Sequence, residues 1–195
     1  QVHDNYGHGI EVYYDGVGAI SNRVFRQTTD GVYGITGYYG AEIESNEVFD
    51  NSNGIYLYSQ SYGRDNKAYH NKNRGVYALY NSTVEDNSVF ANAIGIELYS
   101  SNIVRNNLFR QNSSIGIYAN TSGSTITNNT VYQVTGNAIR VQGNTSNVQI
   151  TNNILAVLAE GASAISVAAD SEQGFFSDYN FFQLSPGNNF LGEWE

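Results

Sequence analysis

The sequence predicts an all-β protein: a right-handed, single-stranded parallel β-helix (a solenoid) of about eight coils, with about 22 residues per coil. Three observations carry this. One short phrase recurs along almost all of the 195 residues. Within each recurrence, apolar and polar residues alternate with a period of two. Nowhere do apolar residues recur at a helical spacing near 3.6. Self-similarity at such a period means stacked units, each burying its faces only against a neighbour.

The first half of the phrase is Asn-x-(Val/Ala/Leu/Ile)-(Phe/Tyr). It reads Asn22-Arg23-Val24-Phe25, Asn46-Glu47-Val48-Phe49, Asn66-Lys67-Ala68-Tyr69 and Asn87-Ser88-Val89-Phe90. It continues as Asn106-Asn107-Leu108-Phe109, Asn129-Thr130-Val131-Tyr132 and Asn152-Asn153-Ile154-Leu155. The second half is Gly-(Ile/Val), at Gly9-Ile10, Gly31-Val32, Gly54-Ile55, Gly75-Val76, Gly95-Ile96 and Gly116-Ile117, and then as Ala138-Ile139 and Ala164-Ile165. Each half reads as one short strand, two to a coil.

After each Gly-Ile the first and third residues are apolar or Gly and face a core, while the second and fourth face out. One outward column is then Glu11, Tyr33, Tyr56, Tyr77, Glu97, Tyr118, Arg140 and Ser166. The next is Tyr13, Ile35, Tyr58, Leu79, Tyr99, Asn120, Gln142 and Ala168. A period this short leaves no room for a strand-plus-helix crossover. Like segments therefore stack directly and in parallel, about 4.8 Å per coil. The right-handed sense follows from the chirality of parallel crossovers.

The first-half strand predicts an aromatic ladder of Phe25, Phe49, Tyr69, Phe90, Phe109 and Tyr132. It also predicts an amide column of Asn22, Asn46, Asn66, Asn87, Asn106, Asn129 and Asn152, with a partial second column at Asn51, Asn71 and Asn92. Asn tolerates left-handed backbone angles, and its amide bonds to the same amide one coil up. These Asn residues read as scaffold. Glu44, Arg64 and Glu85 are expected to stack, as are Asp65, Asp86 and Arg105; alternating sign reads as cross-strand charge pairing.

The net charge is −9, which gives no basic footprint for nucleic acid. There is no Cys, hence no disulfide or thiolate metal site. No apolar stretch is long enough for membrane insertion. The chain opens inside a coil, so residues 1–174 read as coils excised from a longer protein. Residues 175–195 read as a last coil and an aromatic C-terminal cover that includes Phe175, Phe176, Tyr179, Phe181, Phe182 and Trp194. The expected location is secreted or cell surface, in a bacterium.

With this repeat, residues 2–182 resemble the right-handed parallel β-helix repeat proteins, the pectin lyase-like superfamily. That set includes pectate lyases, polygalacturonases, mannuronan epimerases and copper-site accessory proteins. The resemblance implies the fold, and in its enzymes a substrate groove over one sheet face. Gly7-His8-Gly9 matches a polygalacturonase segment, but the Asn-Thr-Asp and Asp-Asp signatures of those enzymes are absent. Tyr6-Gly7 matches only the first part of an epimerase signature.

Candidate catalytic residues are His8, Glu97 and Arg140; the last two suit a lyase or epimerase, which needs a base and charge neutralisation by Ca²⁺ or an amide. No Asp cluster accompanies them, so no cofactor or metal is expected, with Ca²⁺ the alternative under the lyase or epimerase reading. His3, His8 and His70 are too few and too dispersed for copper or zinc. Glu11 and Glu97 lie four coils apart, about 19 Å at the strand spacing, too far for the paired carboxylates of glycoside hydrolysis.

Candidate ligand-binding residues are Tyr13, Tyr33, Tyr56, Tyr58, Tyr77, Tyr99 and Tyr118, whose rings with polar tips suit sugars or a protein surface. The expected role is a rigid β-helical binding or scaffold module presenting a Tyr-rich face to a polysaccharide or another protein chain. The alternatives are an enzyme on acidic polysaccharide (lyase, epimerase or hydrolase) and a pure structural spacer.

Overall fold

The computed structural model describes residues 1–185 and the backbone of the strand Gly192–Trp194. It is a β-solenoid built from three parallel sheets. The first runs from Val2–His3 to Phe181–Leu184 and the second from Ile10–Tyr13 to Gly192–Trp194, each with nine strands among the described residues. The third runs from Gly18–Ile20 to Phe176–Asp178 with eight. Each coil thus carries three strands, not two. The third strand was hidden because it is three residues long with a single inward side chain: Ala19, Ile43, Val84, Val104, Ile126 or Ile150, all buried. Polar or charged neighbours in most of these strands (Glu42 and Glu44, Thr83 and Glu85, Thr125 and Thr127, Gln149 and Thr151) make it read as a polar turn.

The inward columns interlock large on small. Ile35, Ile55, Val76, Ile96, Ile117 and Ile139 stack in the second sheet, all at 2% exposure or less. Where the third sheet has Gly63, the Leu57 side chain fills the space; where the second has Gly37, Ile43 does. Glycine is required at Gly54, where a Cβ would collide with the carbonyl oxygen of Gly75 one coil up.

The amide ladder runs Asn22, Asn46, Asn66, Asn87, Asn107, Asn129, Asn153 and Asn180. Asn106 and Asn152 are not in it. They precede it, at φ 58° and 57°, in the left-handed turn that Ser45, Asp65 and Asp86 occupy in other coils. The doubled Asn conceals a shift of one residue. Asn107 aligns with Asn87, so Phe109 points into the core at 0% exposure, and Arg110 takes the aromatic position. The outer stack is therefore His3, Phe25, Phe49, Tyr69 and Phe90, with ring centroids 4.8–5.1 Å apart, capped by the Arg110 guanidinium 4.0 Å over Phe90. Tyr132 lies beyond Arg110.

The second amide column is longer than expected: Gln27, Asn51, Asn71, Asn92, Asn112 and Gln133. Arg105 stands beside Glu85, not in line with Asp65 and Asp86. The charge column is thus Glu44, Arg64, Glu85 and Arg105, with Arg64 to Glu44 at 2.9 Å and Arg105 to Glu85 at 2.6 Å.

At the C-terminal end, Phe176–Asp178 and Phe181–Leu184 pair as further rungs, with Phe182 in line with Leu155 and packed on the core. Phe176, Tyr179 and Phe181 are exposed. Residues 186–191 and the Trp194 side chain, part of the expected cover, lie outside the described residues.

Candidate aromatic strip and adjoining groove

The outward face of the second sheet differs from expectation in its second coil. Ile35, not Val32, aligns with Ile10 and Ile55, so Gly34-Ile35 is the true repeat and Gly31-Val32 a mimic. The first outward column is Glu11, Thr36, Tyr56, Tyr77, Glu97, Tyr118, Arg140 and Ser166. Ile35 faces the core rather than solvent, and Tyr33 pairs with Asn53 in a flanking column that continues to Arg74 and Ile94. The face is also less open than a solvated column, since Thr36, Glu97 and Ser166 are buried.

Glu97 is held by the Arg74 Nε, and the Arg74 guanidinium lies 5.0 Å over the Tyr77 ring. Tyr118 stands between Glu97 and Arg140, two coils apart, so those two candidates do not meet. His8 is a third separate element: its Nδ1 accepts the Tyr33 backbone N–H at 2.9 Å, which tethers the first coil to the second. Gln142 Nε2 donates to the Tyr118 hydroxyl at 2.6 Å.

The aromatic concentration lies at the corner after the second sheet. Tyr13, Tyr38, Tyr58, Leu79 and Tyr99 align one above another. Beside them Tyr14, Tyr39 and Tyr80 sit at φ 77°, 57° and 53°, and the left-handed turn swings their rings alongside. Tyr13 stacks on Tyr38 at 4.7 Å and Tyr14 on Tyr39 at 6.0 Å. Tyr58 touches Tyr38, Tyr39 and Tyr80 at 6.0, 5.6 and 5.2 Å, and Tyr80 meets Tyr99 at 6.0 Å. Tyr56, at 6.2 Å from Tyr58, joins this strip to Tyr33 and Tyr77 on the sheet face. The strip spans five coils, about 19 Å. Tyr14, Tyr38, Tyr39 and Tyr80 were not among the expected ligand residues. The doublets Tyr13-Tyr14 and Tyr38-Tyr39 were the signal, masked by the slipped second coil.

Crowding perturbs these phenols. Burial pushes Tyr56 up to about 12 and raises Tyr77 and Tyr38 as well. Burial likewise raises Tyr33, against the lowering pull of Arg74. Tyr13 is raised chiefly because its hydroxyl donates to the Glu11 carboxylate at 2.9 Å. Unfolded tyrosine ionises near pH 10. The unfolded chain therefore loses its protons first, and stability is lost as pH climbs from about 10 towards 12. Urea midpoints should fall steeply between pH 9 and pH 11.5; a midpoint unchanged across that range would contradict the packing described.

Above Tyr80 and Tyr99 the strip opens into a groove of about 440 Å³, lined also by Ser100, Ser101, Asn120, Thr121, Ser122, Gly143, Asn144 and Thr145. That volume is within the ~300–1,000 Å³ typical of small-molecule sites.

These features define a parallel β-helix protein with an aromatic corner. The chain belongs to the family described as periplasmic copper-binding protein (NosD), whose model matches residues 1–183. Among curated protein sequences none matches significantly. Similar solved structures include the enzymatically active domain of tailspike protein 2 from bacteriophage CBA120, at 13% identity and TM-score 0.74, covering 97% of this chain and 36% of that one. The periplasmic alginate epimerase AlgG is similar at 18% identity and TM-score 0.62, covering 92% of this chain and 51% of that one. At such identity the likeness is one of fold, and this chain spans about half of the epimerase's length.

The family description raises copper. The donor set here does not fit it. The chain has no Cys and no Met, the soft ligands copper(I) favours. His3 lies against Asp4 and Arg26, His8 is bonded to the Tyr33 backbone, and His70 flanks Phe90. Among the described residues, no three of His, Cys, Asp or Glu gather.

Proposed function

We propose that this chain is an extracytoplasmic bacterial binding module that holds an extended polysaccharide along its tyrosine corner. The observation that carries the reading is the unbroken ring-to-ring network from Tyr13 to Tyr99. Tyr13, Tyr14, Tyr39, Tyr80 and Tyr99 are each more than a third exposed, so a line of apolar ring surface with polar tips is offered to solvent. That matches the faces and hydroxyl edges of successive sugar rings. Exposed aromatic surface of this extent commonly marks an interaction site. The solenoid keeps the array rigid, so little ordering entropy is lost on binding. The periplasmic family description and the periplasmic location in the epimerase's name support a site of action outside the cytoplasm.

A non-catalytic role is favoured by where the candidate groups stand. Glu97 is committed to Arg74, Glu11 to Tyr13, and the two carboxylates are four coils apart. Affinity electrophoresis and calorimetry across soluble polysaccharides test the reading. Tyr58→Ala, at the hub of the strip, is expected to weaken binding about tenfold, the loss of one well-packed ring. Tyr6→Ala, 94% exposed and outside the strip, should leave binding unchanged. Equal behaviour of the two variants, or turnover of any polysaccharide, would overturn it.

A further inference from the structure

We infer that the bound chain is a neutral glycan rather than a uronate polymer, and that the groove beyond the strip reads its hydroxyls. This rests on the glycan reading above.

The first observation is chemical. No charged side chain lines the groove: hydroxyls and amides from Ser100, Asn120, Thr121, Ser122 and Asn144 surround two tyrosines. Recognition of carboxylates uses a guanidinium fork or a divalent cation, and neither chemistry is present on these walls. Hydroxyl and amide groups, each able to donate and accept, suit a sugar's hydroxyls.

The second observation is an orphan. Thr145 lines the groove at 2% exposure, and its Oγ1 is buried with no hydrogen-bond partner. A buried hydroxyl without a partner is costly, and such a group in a native fold calls for an explanation. A ligand hydroxyl supplies one when a small shift of the covering wall admits it. Gly143 backs this wall at φ 94°, leaving space that the Asn120 amide occupies and that any Cβ would fill.

The third is electrostatic. The protein carries −9 net charge, and the strip's first coil is bordered by Glu11 on Tyr13 and Asp15 against Gly40. Arg23, Arg26, Arg64, Lys72, Arg74 and Arg105 are already paired with Glu47, Asp4, Glu44, Asp30, Glu97 and Glu85. A polyanion meets net like charge here, and six of the nine Lys and Arg side chains are already held by carboxylates.

The test is calorimetry of the intact chain with neutral hexasaccharides (cello-, manno- and malto-) against guluronate and galacturonate hexamers. At least one neutral hexamer should bind tenfold or more tighter than either uronate, with Kd within twofold between 50 and 500 mM salt. A uronate that binds tighter, and weakens with salt, overturns this inference while leaving the glycan reading standing. Failure of every saccharide to bind overturns both. Thr145→Val, which removes the orphan hydroxyl at constant shape, should raise Tm by about 2–4 °C and weaken the neutral hexamer about fivefold. A Kd unchanged in a folded Thr145→Val protein overturns the groove's role.

Discussion

Replacing Asn87 with Ala is expected to cost about 3–6 kcal/mol, a large share of the ~5–15 kcal/mol that holds a typical domain folded. Asn87 is 2% exposed. Its Oδ1 accepts the Asn66 backbone N–H at 2.8 Å and the Asn66 Nδ2 at 3.0 Å. Its Nδ2 donates to the carbonyls of Gly63 and Glu85 and to Asn107 Oδ1. Truncation leaves two or three buried groups without partners, each worth about 1–3 kcal/mol. It also cuts the ladder in mid-stack, where both neighbouring coils depend on it. Urea unfolding followed by circular dichroism checks this. Asn106→Gly, an exposed residue at φ 58° one position before the ladder, should change stability by less than about 1 kcal/mol. Equal losses from the two substitutions would contradict the ladder's register.

Arg74→Met should cost about 3 kcal/mol, the lower end of the range for breaking a buried ion pair. The lower end applies because the Arg74 side chain is 32% exposed while that of Glu97 is 10% exposed. Glu97 would then be a buried carboxylate without its cation, and Tyr77 would lose the guanidinium above its ring. The double variant Arg74→Met with Glu97→Leu should recover at least half of the loss, since an apolar pair needs no mutual compensation. A single-variant cost below about 1 kcal/mol, or no recovery in the double variant, would show that the pair is not structurally coupled.

Much of this architecture is legible in the chain. The Gly-Ile alternation locates the second sheet, and the recurring Asn locates one corner, because stacked coils put like residues above like and reward the same chemistry repeatedly. What escaped did so for local reasons. Ladder residues are 24, 20, 21, 20, 22, 24 and 27 positions apart. Extra residues in the longer coils go into corners, where they shift the apparent register. That is how Gly31-Val32 passed for Gly34-Ile35, and how Tyr33 took the place of Thr36. At Asn106-Asn107 and Asn152-Asn153 two identical residues compete for one slot, and only the buried one joins the side-chain ladder to the next coil. The third sheet eluded pattern reading because one inward residue per strand produces no alternation.

The same reasons apply to the site. Tyr56 and Tyr77 were readable in one outward column, and Tyr58 and Tyr99 in the next. Tyr14, Tyr39 and Tyr80 sit at left-handed corners, where a strand rule assigns no direction. Their convergence with Tyr58 depends on backbone angles that no two-residue period encodes. The pairing of Arg74 with Glu97 joins neighbouring columns one coil apart, which a reading of single columns does not bring together.

A crystal structure of the chain with a neutral hexasaccharide decides the matter. Sugar rings should lie along the corner, faces against Tyr58 and Tyr80, with hydroxyls reaching Asn120 and Thr145. Saccharide ordered instead over Glu97 and Arg140, or a bare corner under saturating ligand, would refute a glycan-holding role for the tyrosines.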